Sequence, residues 1–196
     1  MAGRVAGALI LRRARPEDGA DMAAIYAPYV RDTLITFETE APDATEMARR
    51  ITYRTGSNLP WIVAQGADGT MLGYAYAGHF HVRHAYRFTV EPSVYLTEAA
   101  RGRGVGRQLY ERLFTILSEQ GFRQAVALIA LPNPASVTLH ERFGFRHTGT
   151  HERVGHKLGG WIDVGLYQRA VDTGDAPLTL DDPLPLEASA SWTALS

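Results

Sequence analysis

Residues 89–120, TVEPSVYLTEAARGRGVGRQLYERLFTILSEQ, carry the strongest structural pattern in the sequence. The first eight residues, Thr89–Leu96, are rich in β-branched and aromatic side chains and predict a strand. From Val105 onward, apolar residues recur every three or four positions, which predicts an amphipathic helix that ends near Gln120. A glycine-rich turn lies between the two. A strand, such a turn and a helix in this order are typical of loops that bind phosphate groups.

The turn, RGRGVGR at residues 101–107, places glycines where the helix begins. The first N–H groups of a helix lack partners inside the helix, and the helix dipole makes them attractive to anions. Glycines leave these N–H groups uncovered, and Arg101, Arg103 and Arg107 add positive charge. Neither GxxxxGK[ST] nor GxGxxG fits the turn, because no Gly-Lys pair is present and Arg107 stands where the third glycine belongs.

Composition excludes several classes of protein. The 196 residues are enough for one domain with a full core, and a net charge of −1 gives no indication of a nucleic-acid surface. Because cysteine is absent, the chain has no disulfide framework, thiol nucleophile or thiolate metal site. This absence agrees with a cytoplasmic location. No apolar run reaches the length of a membrane-spanning helix, and we expect no membrane partner.

The rest of the chain predicts a single α/β domain over residues 9–171. Helices are expected to begin at Pro16, Asp43 and Ala135, and Pro28 is expected to kink or end the first of them. Further strands are expected at residues 9–14, 61–65, 71–79, 125–131, 145–153 and 163–169. The helix at 105–120 is a crossover that makes strands 89–96 and 125–131 parallel neighbours in a mixed, mostly antiparallel sheet flanked by helices. We expect residues 1–8 and 172–196, which show no periodicity, to be flexible termini.

Five further strings resemble the phosphinothricin N-acetyltransferase subfamily of the GNAT superfamily of N-acetyltransferases. The five strings are GYAY (73–76), TVEPSVYL (89–96), LPNPAS (131–136), HERFGF (140–145) and GGWIDVG (159–165). The motif Arg101-x-x-Gly104-x-Gly106 carries the same resemblance. The resemblance covers residues 9–170. It implies the GNAT fold and transfer of an acetyl group from acetyl-CoA to a primary amine of a glutamate-like amino acid.

The resemblance also implies the cofactor-binding residues. The backbone of Val94, Tyr95 and Leu96 is expected to pair with the pantetheine arm of acetyl-CoA. The pyrophosphate is expected to bind at Arg101, Gly102, Arg103, Gly104, Val105, Gly106 and Arg107. Asn133 matches a residue that contacts the pantetheine or pyrophosphate region; alternatively, it only forms an Asx-turn that begins a helix.

Two residues are implied in catalysis. Glu91 matches the glutamate that deprotonates the substrate ammonium through water; alternatively, it is a solvent-facing strand residue or the ion-pair partner of Arg87. His140 stands where the superfamily usually has a tyrosine that protonates the departing thiolate, and an imidazole can titrate in the neutral range. Alternatively, His140 only packs beside Phe143.

The acceptor is expected to bind near the loop before residue 89. By resemblance, His81, Arg83 and Tyr86 hold the acid groups of the acceptor, and Phe37 lines the pocket, whereas the alternative is a loop that is only polar surface. His81 replaces a lysine of the family. Glu38 stands where a basic residue is common, which argues against a doubly anionic acceptor. Nearby histidines lack a neighbouring aspartate or cysteine, and we expect no metal site.

The hypothesis from the sequence is therefore an acetyltransferase that acts on phosphinothricin, methionine sulfoximine or methionine sulfone. One alternative is acetylation of another small amine or a peptide N-terminus, and another is a non-catalytic acyl-CoA-sensing module. By resemblance we expect a homodimer, with Trp161 covering the acceptor or contacting the partner subunit.

Overall fold

The computed structural model describes residues 9–172 and 181–195. In chain order the elements are β1 (Ile10–Arg13), α1 (Gly19–Asp32), α2 (Ala44–Gly56), β2 (Trp61–Gln65), β3 (Met71–His79), β4 (Thr89–Leu96), α3 (Val105–Glu119), β5 (Gln124–Leu131), α4 (Pro134–Arg142), β6 (Arg146–Lys157), β7 (Gly160–Ala170) and α5 (Ala190–Thr193). The predicted strand, turn and helix around residues 89–120 are confirmed.

Within the described residues, seven strands form one sheet in the order β1-β2-β3-β4-β5-β7-β6. Every neighbouring pair is antiparallel except β4 and β5, which are parallel and joined by the crossover through α3. The predicted mixed, mostly antiparallel sheet is confirmed. The parallel pair follows from the crossover, because a strand, a helix and a second strand in one sheet place both strands in the same direction.

The parallel strands β4 and β5 separate almost at once. They pair only at Thr89 with Gln124 and at Val90 with Ala125. Beyond this point β4 stays with β3 as far as Leu96, whereas β5 stays with β7 as far as Leu131. The two halves of the sheet therefore open into a cleft. Pro92 is tolerated at this opened edge because proline has no N–H to donate to a neighbouring strand.

The core has one layer on each face of the sheet. Alternate residues of β2 show the division, since Ile62 and Ala64 pack with α3, while Trp61 and Val63 pack with α1 and α2. On α3 the fully buried residues are Val105, Leu109, Tyr110, Leu113, Ile116 and Leu117. Burial of this apolar stripe fixes α3 against the sheet and so fixes the glycine-rich turn at its N-terminus.

Two local features differ from expectation. Of the two outcomes expected at Pro28, a kink or an end of the helix, the end is not observed: α1 continues to Asp32, because its buried face, which includes Tyr29 and Val30, packs on both sides of the proline. The closing strands are also longer than predicted, since β6 reaches Lys157 and the hairpin turns at Leu158 and Gly159. Gly155 lies inside β6 rather than in a loop.

The prediction of a flexible tail is wrong for residues 181–195; residues 1–8, 173–180 and 196 lie outside the described residues. Leu186, Trp192 and Leu195 are buried in the α3 face of the core. The carboxylate of Glu119 on α3 accepts hydrogen bonds from the side chains of Ser189 and Ser191. Polar composition concealed this segment, because three well-placed apolar side chains are enough to hold it.

Candidate active site

The cleft between β4 and β5 opens into a cavity of about 820 Å³. Its wall includes residues from both sides of the split sheet, among them Glu91–Tyr95 of β4 and Val126–Ala130 of β5. Residues 35–38, between α1 and α2, close one side. Asn133, Ser136 and His140 contribute from α4 and its cap. A concave, mostly apolar cavity with a few polar groups is typical of a small-molecule site.

The glycine-rich turn has the geometry of an anion-binding loop. Gly102 and Gly104 have φ values of +70° and +82°, in the left-handed region that glycine adopts without strain. Gly104 is the N-cap of α3, and, having no side chain, it leaves the first N–H groups of the helix uncovered. Arg101 and Arg103 are exposed beside them. Arg107 forms an ion pair with Glu111 at 2.7 Å, so part of its charge is compensated within the helix.

The opened edge of β4 presents few free backbone groups. The hydroxyl of Tyr29 donates to the carbonyl oxygen of Leu96 at 2.7 Å and accepts from the Leu96 N–H at 3.2 Å. The backbone N–H and C=O groups of successive strand residues point to opposite sides of the strand. The backbone groups of Tyr95 therefore bond to β3, while those of Val94, like those of Leu96, face the cleft. Of the three residues expected to pair with pantetheine, only Val94 presents backbone groups that are free in this geometry.

Glu91 lies in the cavity wall. Glu91 on β4 is paired with Gly78 on β3. The guanidinium of Arg54 on α2 lies above Gly78, so close that a Cβ on Gly78 would be 2.7 Å from it. Burial raises the pKa of Glu91 above its ordinary value, and the nearby charge of Arg54 offsets part of this effect. Arg87, the alternative ion-pair partner, pairs with Asp182 instead. Glu91 is therefore a half-buried carboxylate with raised proton affinity.

His140 is buried and forms a pair with Tyr110, a residue that the sequence analysis did not single out. The Nδ1 atom of His140 lies 2.8 Å from the carbonyl oxygen of Ser136, which can only accept, so Nδ1 carries the hydrogen of the neutral ring. The Nε2 atom therefore accepts from the Tyr110 hydroxyl at 3.2 Å. Burial lowers the pKa of His140 and raises that of Tyr110.

Tyr110 and His140 both lie in the cavity wall. The sequence signal for Tyr110 was its position on α3, one turn after the glycine-rich turn. This signal was missed because an aromatic residue in the apolar stripe of a helix is usually part of the core. Asn133 caps α4 by accepting from the Ser136 N–H at 3.2 Å, and it also lines the cavity.

The residues that the sequence predicts to bind the acceptor lie in two separate places. Phe37 lies in the cavity wall, whereas His81, Arg83 and Tyr86 are exposed and outside it. The loop is internally organised, since the ring of His81 lies 5.0 Å from that of Tyr86, and its Nδ1 accepts from the Arg83 N–H at 3.1 Å. A ring contact at 5.6 Å between Tyr86 and Phe80 joins the loop to the cavity.

Comparison with known proteins gives the family. The family model for the acetyltransferase (GNAT) domain matches residues 11–166. This chain belongs to the GNAT acetyltransferase family. A phosphinothricin N-acetyltransferase from Alcaligenes faecalis is 42% identical to this GNAT chain over 172 residues, with 87% of each protein covered. An L-methionine sulfoximine/L-methionine sulfone acetyltransferase from Pseudomonas aeruginosa is 35% identical over 168 residues, with 85% of this chain and 98% of that protein covered.

A solved structure extends the similarity to three dimensions. The GNAT superfamily phosphinothricin acetyltransferase from Sinorhizobium meliloti, in complex with acetyl-CoA, matches with a TM-score of 0.81 at 37% identity. The match covers 88% of this GNAT chain and 98% of the other. The predicted GNAT fold is therefore confirmed.

The described residues contain neither a metal-ligand cluster nor a membrane-spanning helix. No group of three or more His, Cys, Asp or Glu residues within 9–172 and 181–195 is arranged to hold a metal ion. In the same part of this GNAT chain, no helix combines the length and the apolar character needed to cross a bilayer.

Proposed function

We propose that the protein is an acetyl-CoA-dependent N-acetyltransferase that acts on the α-amino group of glutamate-analogue amino acids. The observation that carries the proposal is a half-buried carboxylate, Glu91, in a cavity whose wall includes Val94. Val94 adjoins the N-terminus of α3, since a Cβ on Gly106 would lie 4.0 Å from its side chain. The acceptor class is supported by relatives named for phosphinothricin and for methionine sulfoximine and methionine sulfone.

The residues at the cleft fit acetyl-CoA. The uncovered N–H groups at Gly104–Gly106, with Arg101 and Arg103 beside them, suit its pyrophosphate. The free backbone of Val94 at the opened edge of β4 suits an extended arm that bonds like an additional strand. When bound, acetyl-CoA supplies the acetyl group as a thioester. Asn133 borders the same space.

Glu91 is proposed as the general base. An acceptor amine is protonated at neutral pH and must lose a proton before it can attack a carbonyl carbon. Because burial raises its pKa, Glu91 is a stronger proton acceptor than an exposed carboxylate. It takes up the proton of the ammonium through a water molecule.

Tyr110 and His140 are proposed to act together on the sulfur side. Neutral His140 has its one hydrogen on Nδ1, directed at Ser136, so the hydrogen available at the cavity is that of the Tyr110 hydroxyl. Because burial raises the pKa of Tyr110, a free phenolate is disfavoured. In the resting site the hydroxyl hydrogen of Tyr110 is donated to Nε2 of His140. We therefore assign to His140 the positioning of the Tyr110 hydroxyl before transfer, and to Tyr110 a hydrogen bond to the developing thiolate, for which the hydroxyl turns its one hydrogen from Nε2 to the sulfur.

Phe37 is proposed to line the acceptor pocket, and Arg83, with His81 and Tyr86, to bind the acid groups of the acceptor. Since these three loop residues are exposed in the present structure, the proposal requires the loop to fold toward the cavity when an acceptor binds. We also propose that the protein is a homodimer, which the resemblance supports, and that it is cytoplasmic, which the absence of cysteine supports. Sedimentation velocity tests the oligomeric state.

The test is release of free CoA from acetyl-CoA with a panel of acceptors: phosphinothricin, methionine sulfoximine, methionine sulfone, glutamate, a polyamine and a short peptide. Turnover of the first three alone is the expected result. Turnover of only the polyamine or the peptide would keep the acetyltransferase and discard the acceptor class. Tight binding of acetyl-CoA without turnover of any acceptor would favour an acyl-CoA-sensing module.

A further inference from the structure

Lys157 is the only lysine among the 20 lysine and arginine residues of the chain. It lies at the end of β6 and is buried, with 6% of its surface exposed. Its Nζ atom donates to the backbone carbonyl oxygen of Thr36 at 2.7 Å, across 121 residues of sequence. No ion pair of Lys157 is found among residues 9–172 and 181–195, so this carbonyl is its principal partner.

Thr36 belongs to the bridge segment, which we define as residues 35–38 between α1 and α2. All four residues of the bridge segment lie in the cavity wall. On the helix side the segment is firmly held, because Glu38 accepts two hydrogen bonds from Arg50, at 2.8 and 3.0 Å. The hydroxyl of Tyr26 contacts the Thr36 side chain at 2.6 Å and donates to Glu38 at 3.0 Å.

On the other side the bridge segment contacts the β6–β7 hairpin at two neighbouring places. The first is the hydrogen bond from Lys157. The second is the ring of Phe37 against Gly155, where any Cβ would overlap the ring. The segment thus spans the cavity from the helices to the hairpin, and at its hairpin end it is held by this hydrogen bond and this ring contact.

The chemistry of lysine suits a contact of this kind. An ammonium is a compact charge on a flexible stem, whereas a guanidinium is a larger planar group. Burial lowers the pKa of Lys157, and the charge of Glu38 in the bridge segment opposes this. A carbonyl partner holds an ammonium less strongly than a carboxylate would, so the hairpin end can be released more easily than the helix end.

We infer that Lys157 is a positioning residue for the acceptor: its ammonium holds the bridge segment against the β6–β7 hairpin and thereby sets the acceptor side of the cavity. The inference rests on the proposed acetyl transfer. Lys157 itself is not in the cavity wall and acts through Thr36 and Phe37.

The experiment compares Lys157→Met with Arg153→Met, which removes a positive charge from the same strand where the side chain is exposed. For Lys157→Met we expect the KM for L-methionine sulfone to rise about tenfold, the effect of losing one charge-assisted hydrogen bond. The KM for acetyl-CoA should change less than about twofold, since the cofactor residues lie elsewhere. Arg153→Met should leave both values unchanged.

Hydrogen exchange of residues 33–43 provides a readout that needs no substrate. Lys157→Met should speed exchange in this segment, and Arg153→Met should not. If the wild-type enzyme fails to acetylate any amino acid, the proposed function is wrong, but the exchange result still decides whether Lys157 holds the bridge segment.

The absence of cysteine permits a rescue. Lys157→Cys creates the only thiol, which can be alkylated in denaturant before refolding. Aminoethylation restores an ammonium at nearly the length of lysine, whereas carbamidomethylation adds a neutral group. We expect aminoethylation alone to restore the KM for methionine sulfone and slow exchange in the segment. Equal behaviour of the two alkylated proteins, or wild-type exchange in Lys157→Met, would overturn the inference.

Discussion

Among single residues, Glu91 combines a position in the cavity wall with an energetic cost. Its pKa is raised by burial in the folded protein, so the ionised carboxylate is less favourable there than in the unfolded chain at neutral pH. The folded state binds the proton more tightly, and the stability cost of Glu91 is therefore relieved as pH falls through the raised pKa. Such strain at a titratable group in a cavity is typical of functional sites.

The prediction for Glu91→Gln follows from this cost. The value of kcat should fall by about 100-fold or more, because a general base contributes that much, while acetyl-CoA affinity stays nearly constant. The melting temperature at neutral pH should not fall, since a buried charge is removed. Steady-state kinetics, an acetyl-CoA titration and a thermal melt check the three statements. Wild-type activity in this variant would remove Glu91 as the base.

The Tyr110–His140 pair is best tested by a double-mutant cycle. Tyr110→Phe removes the hydroxyl, and His140→Asn removes the Nε2 acceptor but can keep a donor toward Ser136. Each should lower kcat by about 10- to 100-fold, and the double variant should be little worse, since residues that act as a unit are not additive. Independent roles would instead give multiplied effects.

The pH profile of the wild-type enzyme offers a separate check on the pair. Because burial lowers the pKa of His140 from the ordinary value of 6.5, its ring becomes neutral at a lower pH than an exposed histidine does. We expect no inflection of kcat near pH 6.5 from this residue, and any inflection it causes should lie at lower pH. An inflection near pH 6.5 that disappears in His140→Asn would contradict this prediction.

At the scale of elements, the N-terminus of α3 depends on a left-handed residue. Gly104→Ala should cost about 1 kcal/mol of folding free energy, the usual penalty for a side chain at positive φ. It should also weaken acetyl-CoA binding, because the first N–H groups of α3 shift. Calorimetric titration and denaturant unfolding measure these effects. Gly56→Ala is the matched control, since that glycine has open space around it and no positive φ.

The C-terminal segment is an element that strengthens α3. Trp192 is 4% exposed and lies beneath the guanidinium of Arg13, whose carbon is 4.9 Å from the ring centroid. Trp192→Ala should therefore cost about 3–5 kcal/mol, as for other buried aromatic residues. Trp161→Ala, at a site that is 58% exposed, should cost much less. Denaturant unfolding of both variants makes the comparison, and equal losses would contradict the packing described here.

At the scale of the whole molecule, local pattern predicted the central elements well. The periodicity of residues 89–120 is strong enough that β4 and α3 lie where expected, and the crossover rule gave the parallel pair. The long closing strands were underestimated because Gly155 interrupts the pattern of β6. That glycine is explained only by Phe37, which is distant in sequence and adjacent in space.

The family, the sheet with its one parallel pair, and the glycine-rich turn before α3 could be predicted from the sequence, because each of these is carried by contiguous residues. Which side chains meet across the fold is seen only in the packed structure. Tyr110 with His140, Lys157 with Thr36, and Trp192 with Arg13 each join distant parts of the chain. Such pairs depend on how elements pack, and the pattern within any one element carries no information about its partner.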